Sequence, residues 1–123
     1  MQVVDLVNAE RAKNGLSPVV LGDEKLNAAA QKRAVEIATT QSHTRPDGSS
    51  CFTVLDEFGV ADAATGENAA WGQATPQEVV TDWMNSEGHR ANILNPNARK
   101  MGVGYYSDSS TEWGRQWIQI FTE

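Results

Sequence analysis

The amino-acid sequence predicts an α/β (α+β) fold in which helices cover both faces of a small antiparallel sheet. Three observations carry this. Several segments repeat apolar residues at i, i+3 and i+4, the spacing of an amphipathic helix. Met101, Val103 and Tyr105 alternate as one strand, and after a Ser-Asp-Ser-Ser turn Trp117, Gln119 and Phe121 alternate against Ile118 and Ile120. That last strand is apolar on both faces, so it needs a layer above and a layer below.

In chain order, Val3, Leu6, Val7 and Glu10 give a first helix over about residues 2 to 13, with Asn14-Gly15 as its left-handed cap. Leu16 to Leu21, interrupted by Pro18, is long enough only for an edge strand or a packed loop. Asp23 offers an N-cap to a second helix. Leu26, Ala30, Arg33, Ala34 and Ile37 form its stripe, which extends to about Gln41, and its alanines predict close packing. Pro46-Asp47-Gly48 is a turn. Ser49 or Ser50 can cap a short third helix containing Phe52, Leu55 and Phe58 and closed by Gly59. Residues 60 to 66 read as a loop, and Glu67 to Trp71 as a short strand between glycines. Thr75-Pro76-Gln77-Glu78 is a capping box with proline at the first helical position, so a fourth helix starts at Pro76 and runs to Ser86 or Glu87, with a break at Gly88.

Composition narrows function by exclusion. With 123 residues the chain makes one domain, and 40% hydrophobic against 21% charged residues is too apolar for disorder. The net charge of −6 repels phosphate backbones, which argues against nucleic-acid binding. No apolar run approaches the ~20 residues of a membrane span. The segment after Met1 reads directly as a helix, without the basic and apolar regions of a signal peptide. An expressed fragment is therefore expected, and the lack of an export signal here is no argument for the cytoplasm.

Only two histidines exist, His43 and His89, and both fall at helix-to-loop boundaries. Glu67 lies between loops, and Glu87 is two residues from His89. Two imidazoles with one or two carboxylates suit Zn²⁺, which takes nitrogen and oxygen ligands in a four-coordinate site. Each residue also has a plainer reading: His89 as a helix C-terminal dipole partner, His43 as an exposed turn residue, and the carboxylates as solvated charges. On a continuing helix Glu87 and His89 would point about 200° apart, so their convergence requires the backbone to leave the helix at Gly88. The four tryptophans, Trp71, Trp83, Trp113 and Trp117, read as core. Cys51, the single cysteine, can form neither an internal disulfide nor a CxxC motif, and nothing nearby in the sequence marks it as an activated thiol.

Taken in order, SHTRPDGSS, GENAAWG, WMNSEGHRANIL, MGVGYY and WIQIF resemble the motifs of the CAP superfamily, which includes cysteine-rich secretory proteins, antigen five and plant pathogenesis-related proteins of group one. The segment VNAERAKNGLSPVVLGDEKLNAAAQKRA resembles its first two helices, and the whole is closest to the short, cysteine-poor bacterial branch. The resemblance implies a three-layer α-β-α sandwich. It implies a cleft with two histidines and two acidic residues, in which many members hold zinc or another divalent ion. His43 matches the first histidine, Glu67 the GEN glutamate and His89 the second histidine. Glu87 is a conditional match for the second acid, because the insert before Gly-His is missing, and Gln119 is expected to line the cleft floor. The cofactor so implied is a divalent metal, zinc first, with Mg²⁺ or Ca²⁺ as alternatives.

The resemblance also implies a secreted or cell-surface location and an unknown ligand or protein partner. The cysteine-bounded sterol loop of many members has no counterpart here, which argues against lipid transport. Three functional readings stand: a binding module with a metal cleft, a zinc-dependent hydrolase with Glu67 or Glu87 as general base, and a structural domain in which Glu67 and the histidines form a hydrogen-bonded clasp.

Overall fold

The computed structural model describes residues 2–111 and 113–123; Met1 lies outside them. The elements are α1 (Gln2–Lys13), β1 (Val20–Leu21), α2 (Glu24–Glu36), α3 (Thr53–Glu57), β2 (Ala64–Trp71), α4 (Pro76–Met84), α5 (Glu87–Ile93), β3 (Lys100–Ser107) and β4 (Arg115–Thr122). The strands form one sheet in the order β1-β3-β4-β2. β4 pairs antiparallel with β2 and β3, whereas β1 runs parallel to β3, so the sheet is mixed rather than purely antiparallel.

β4 is the centre of the core, and its alternation divides the molecule. Trp117 and Phe121 pack with Val3, Val7, Val79, Val80, Trp83 and Ile93 of α1, α4 and α5. Ile118 and Ile120 face the other way, against Leu26, Ala30, Ala34, Val54 and Leu55 of α2 and α3. The result is the predicted three-layer sandwich, with a central strand buried on both faces because helices cover both.

α2 lies very close to the sheet. A Cβ on Gly102 would stand 2.7 Å from the Leu26 carbonyl oxygen, and one on Gly104 would collide with the Ala30 carbonyl. The alanine-rich stripe of the helix and the glycines of β3 are thus two halves of one close approach.

Four boundaries differ from the sequence expectation. α2 ends at Glu36, not Gln41, because Ile37 caps it and the β-branched Thr39-Thr40 pair follows in turns. β2 starts at Ala64, with a register shift between Ala64 and Gly66 that absorbs the residues read as loop. The α4 break falls at Ser86, whose backbone is extended (φ −111°, ψ 124°), and a separate helix α5 begins at Glu87 and carries Gly88 in its first turn. α3 begins at Thr53, preceded by Phe52, and no side chain caps it. The capping box of α4 forms as expected: Thr75 Oγ1 accepts from the Glu78 N–H at 3.1 Å, and Glu78 Oε2 from the Ala74 N–H at 2.8 Å.

Of the tryptophans, Trp83 and Trp117 are core, Trp71 is partly buried, and Trp113 is exposed. Arg11, fully buried, ties α1 to the end of α5 by donating to the carbonyls of Ile93, Asn95 and Ala98.

Candidate functional site

β2 is an edge strand of the sheet. Successive side chains of a strand point to opposite faces, so Glu67 and Asn68 leave the backbone in opposite directions. Glu67, paired with Ile120, faces the α2 layer; Asn68, paired with Gln119, faces the α5 layer. One dipeptide therefore reaches both sides of the sandwich.

On the α2 side, Glu67 is almost completely buried. Arg33 donates to both of its oxygens, Nε to Oε2 at 2.8 Å and Nη2 to Oε1 at 3.0 Å. Arg33, wholly buried, also donates to Glu36 Oε1 at 2.9 Å and to the Ser42 carbonyl at 2.8 Å. Arg45 closes the chain of alternating charges, with Nη2 2.7 Å from Glu36 Oε2 and 2.9 Å from Glu57 Oε1. Burial pushes the Glu67 carboxyl up, but the hydrogen bonds from His43 and Arg33 together outweigh it and hold the group below the usual carboxylate range. Glu36 is held down in the same way, by Arg45 and Arg33 against its burial.

At the solvent end of this chain stands His43, whose Nδ1 is 2.8 Å from Glu67 Oε1. Its ring is 57% exposed, so the pair has one dry and one wet partner. The loop that carries it doubles back: Gly48 takes φ +89°, Arg45 N–H donates to the Ser49 carbonyl, and Cys51 N–H donates to the His43 carbonyl at 2.9 Å. This turn sets Cys51 beside His43. A ring nitrogen of His43, the Cys51 sulfur and a Glu67 oxygen all lie within 4.8 Å of one another. The Cys51 sulfur and then Glu67 push the His43 imidazole up to about 9, against its partial burial. The residues border a groove of about 330 Å³, walled also by Phe52, Thr65, Gly66 and Asn92.

On the α5 side, Asn68 donates to the His89 carbonyl at 3.0 Å and to Gln119 Oε1 at 2.9 Å, and Asn92 donates to Asn68 Oδ1 at 2.8 Å. The His89 ring is half-buried, and burial and then the charge on His43 lower its pKa. His89 lies outside the three-donor cluster. Glu87 is exposed on the first turn of α5, two residues from His89 on a continuous helix, so Gly88 does not let the two converge. Gln119 is fully buried and supports Asn68 from beneath, with Nε2 3.2 Å from the Met101 sulfur, instead of lining the groove.

Of the residues expected at the site, the structure joins His43 to Glu67, sets His89 close enough for the charge on His43 to act on it, and leaves Glu87 and Gln119 out of the groove lining. It adds Arg33, Asn68, Asn92 and Cys51. Arg33 had a visible signal: a cation inside an apolar helical stripe must have a buried anion to meet. Cys51 had none, because its place depends on how the 43–51 loop folds back.

Fold and site together define an α-β-α sandwich with an imidazole–carboxylate pair at its open strand edge. The family model described as "CAP: Cysteine-rich secretory protein family" matches residues 4–121, and the chain belongs to that family. It is 45% identical over 119 residues to the uncharacterized protein YkwD of Bacillus subtilis, covering 95% of this chain and 46% of that protein. It is 30% identical over 113 residues to the uncharacterized membrane protein YlbC of the same organism, covering 88% of this chain and 33% of that one. The chain thus spans less than half the length of these curated relatives. Among solved structures, an extracellular SCP-domain protein of Bacillus anthracis superposes with TM-score 0.86 at 27% identity, over 99% of this chain and 39% of that chain. An outer surface protein of Borrelia burgdorferi superposes at 0.84 and 20% identity, over 98% and 89%, and shows the shared fold. No helix among the described residues is long and apolar enough to cross a membrane.

Proposed function

We propose that this domain acts outside the cell as a binding module, and that its groove holds a divalent ion and presents it to a ligand or protein partner. The observation that carries this is the 2.8 Å contact between His43 and Glu67 at the mouth of a solvent-open groove. The donor chemistry fits. An imidazole nitrogen and a carboxylate oxygen are ligands that zinc accepts, and a bound ion would supply a Lewis-acidic, positively charged point at the groove mouth. Arg33 fixes the carboxylate from behind, as outer-shell partners of metal ligands do. An extracellular location is supported by the structural likeness to the extracellular Bacillus anthracis protein.

The hydrolase reading has less support. Arg33 and His43 keep Glu67 ionised and so weaken it as a base, and Glu87 is exposed away from the groove. The clasp reading has a specific observation in its favour, since Arg33 engages both oxygens of Glu67. A calorimetric titration with Zn²⁺ at pH 7.5, with Mg²⁺ and Ca²⁺ in parallel, separates clasp from metal cleft. One-to-one binding that is lost in His43→Ala supports the metal cleft. No heat in the wild type, together with a lower melting temperature in His43→Ala, leaves only the clasp.

A further inference from the structure

We propose that Cys51 is a metal ligand, so that the ion in the groove is bound by nitrogen, oxygen and thiolate sulfur and belongs to the thiophilic class of Zn²⁺ and Cd²⁺ instead of Mg²⁺ or Ca²⁺. The inference rests on the reading of the groove as a metal cleft and names the third donor and the metal class.

Three features of the chain support it. The first is placement. Cys51 stands beside His43 because the loop between them is closed by backbone bonds, Arg45 N–H to the Ser49 carbonyl at 2.8 Å and Cys51 N–H to the His43 carbonyl at 2.9 Å. The three side-chain donors then fall within 4.8 Å of one another, close enough for one small ion to engage all of them after modest side-chain movement. The second is environment. Cys51 is only 5% exposed yet borders the groove, so its sulfur is shielded from bulk solvent but open to an occupant. In the groove wall the Thr65 hydroxyl has no hydrogen-bond partner among the described residues. The third is donor chemistry. Thiolate and imidazole select zinc-like ions, whereas Mg²⁺ and Ca²⁺ require shells of oxygen that this groove does not offer. His89, the other imidazole, stays outside the cluster.

The test is an ultraviolet absorption titration of the intact chain with Cd²⁺ and Co²⁺, repeated for Cys51→Ser and His89→Ala. A sulfur-to-metal charge-transfer band that saturates at one equivalent in the wild type is expected. It should vanish in Cys51→Ser, with zinc affinity reduced by more than about tenfold, and persist in His89→Ala. Zinc should also slow alkylation of Cys51 in the wild type, a readout that needs no variant to fold. Metal binding without the band, with affinity unchanged in Cys51→Ser, overturns the thiolate assignment and leaves the metal cleft standing. Absence of any binding overturns both.

Discussion

Replacing Arg33 by methionine is the sharpest probe of how this site is held. The guanidinium is 0% exposed and the Glu67 carboxylate 1%, so the substitution strands one anion in the interior with only His43 for company. Glu36 is less affected, because Arg45 still donates to both of its oxygens, Nε to Oε1 and Nη2 to Oε2. Removing one partner of a buried pair costs about 3–5 kcal/mol. At about 2.1 cal/mol/K of unfolding entropy per residue, a chain of 123 residues has about 260 cal/mol/K, so the melting temperature should fall by about 12–19 °C. Removing both partners in Arg33→Met/Glu67→Leu should destabilise less than Arg33→Met alone, since no charge is then left unpaired. Urea denaturation of Arg33→Met, Glu67→Leu and the double variant provides the assay. A single variant within about 1 kcal/mol of wild type, or a double variant as unstable as the two single losses added together, would refute the claim that Arg33 neutralises a buried Glu67.

Two further predictions concern pH and packing. His43 has a folded pKa of about 9, above the ~6.5 of an unfolded histidine, so its contribution to stability is complete below that lower value and is lost as pH rises to about 9. The metal-free wild type should therefore lose stability relative to His43→Ala across this window, and parallel stability–pH curves would contradict it. Gly104→Ala should cost about 1–3 kcal/mol by forcing α2 off the sheet, measured by thermal melting, because the new methyl meets backbone instead of a side chain that can swing away.

The layers were legible because burial leaves a periodic trace. Ile118 and Ile120 facing one way and Trp117 and Phe121 the other specify a sheet covered on both faces. His43 and Glu67 were legible as motif positions, and they do meet. α5 was missed because Gly88 looks like a terminator, yet it needs no positive φ here and the chain breaks two residues earlier at Ser86. Glu87 was a conditional match carried by the motif resemblance, and it lies exposed on the first turn of α5. The parallel pairing of β1 leaves no periodicity in a two-residue strand. Cys51 was invisible for a different reason: sequence neighbours of His43 are many, and only the fold-back at Gly48 selects which one reaches it.

Charge balance ties the proposed thiolate ligand to the architecture behind it. Arg45, Glu36, Arg33 and Glu67, with Glu57 on Arg45 and Lys32 on Glu57, form a run of three cations and three anions whose formal charges cancel. With a neutral His43 imidazole and Cys51 bound as thiolate, the two charges of a divalent ion less one on sulfur leave one net positive charge. Without the thiolate, the same ion would leave two net positive charges against the buried guanidinium of Arg33, which is a less favourable arrangement in a poorly hydrated setting. Under the proposed ligand set, the Cys51 thiolate thus halves the charge that the ion would place beside the buried Arg33–Glu67 pair.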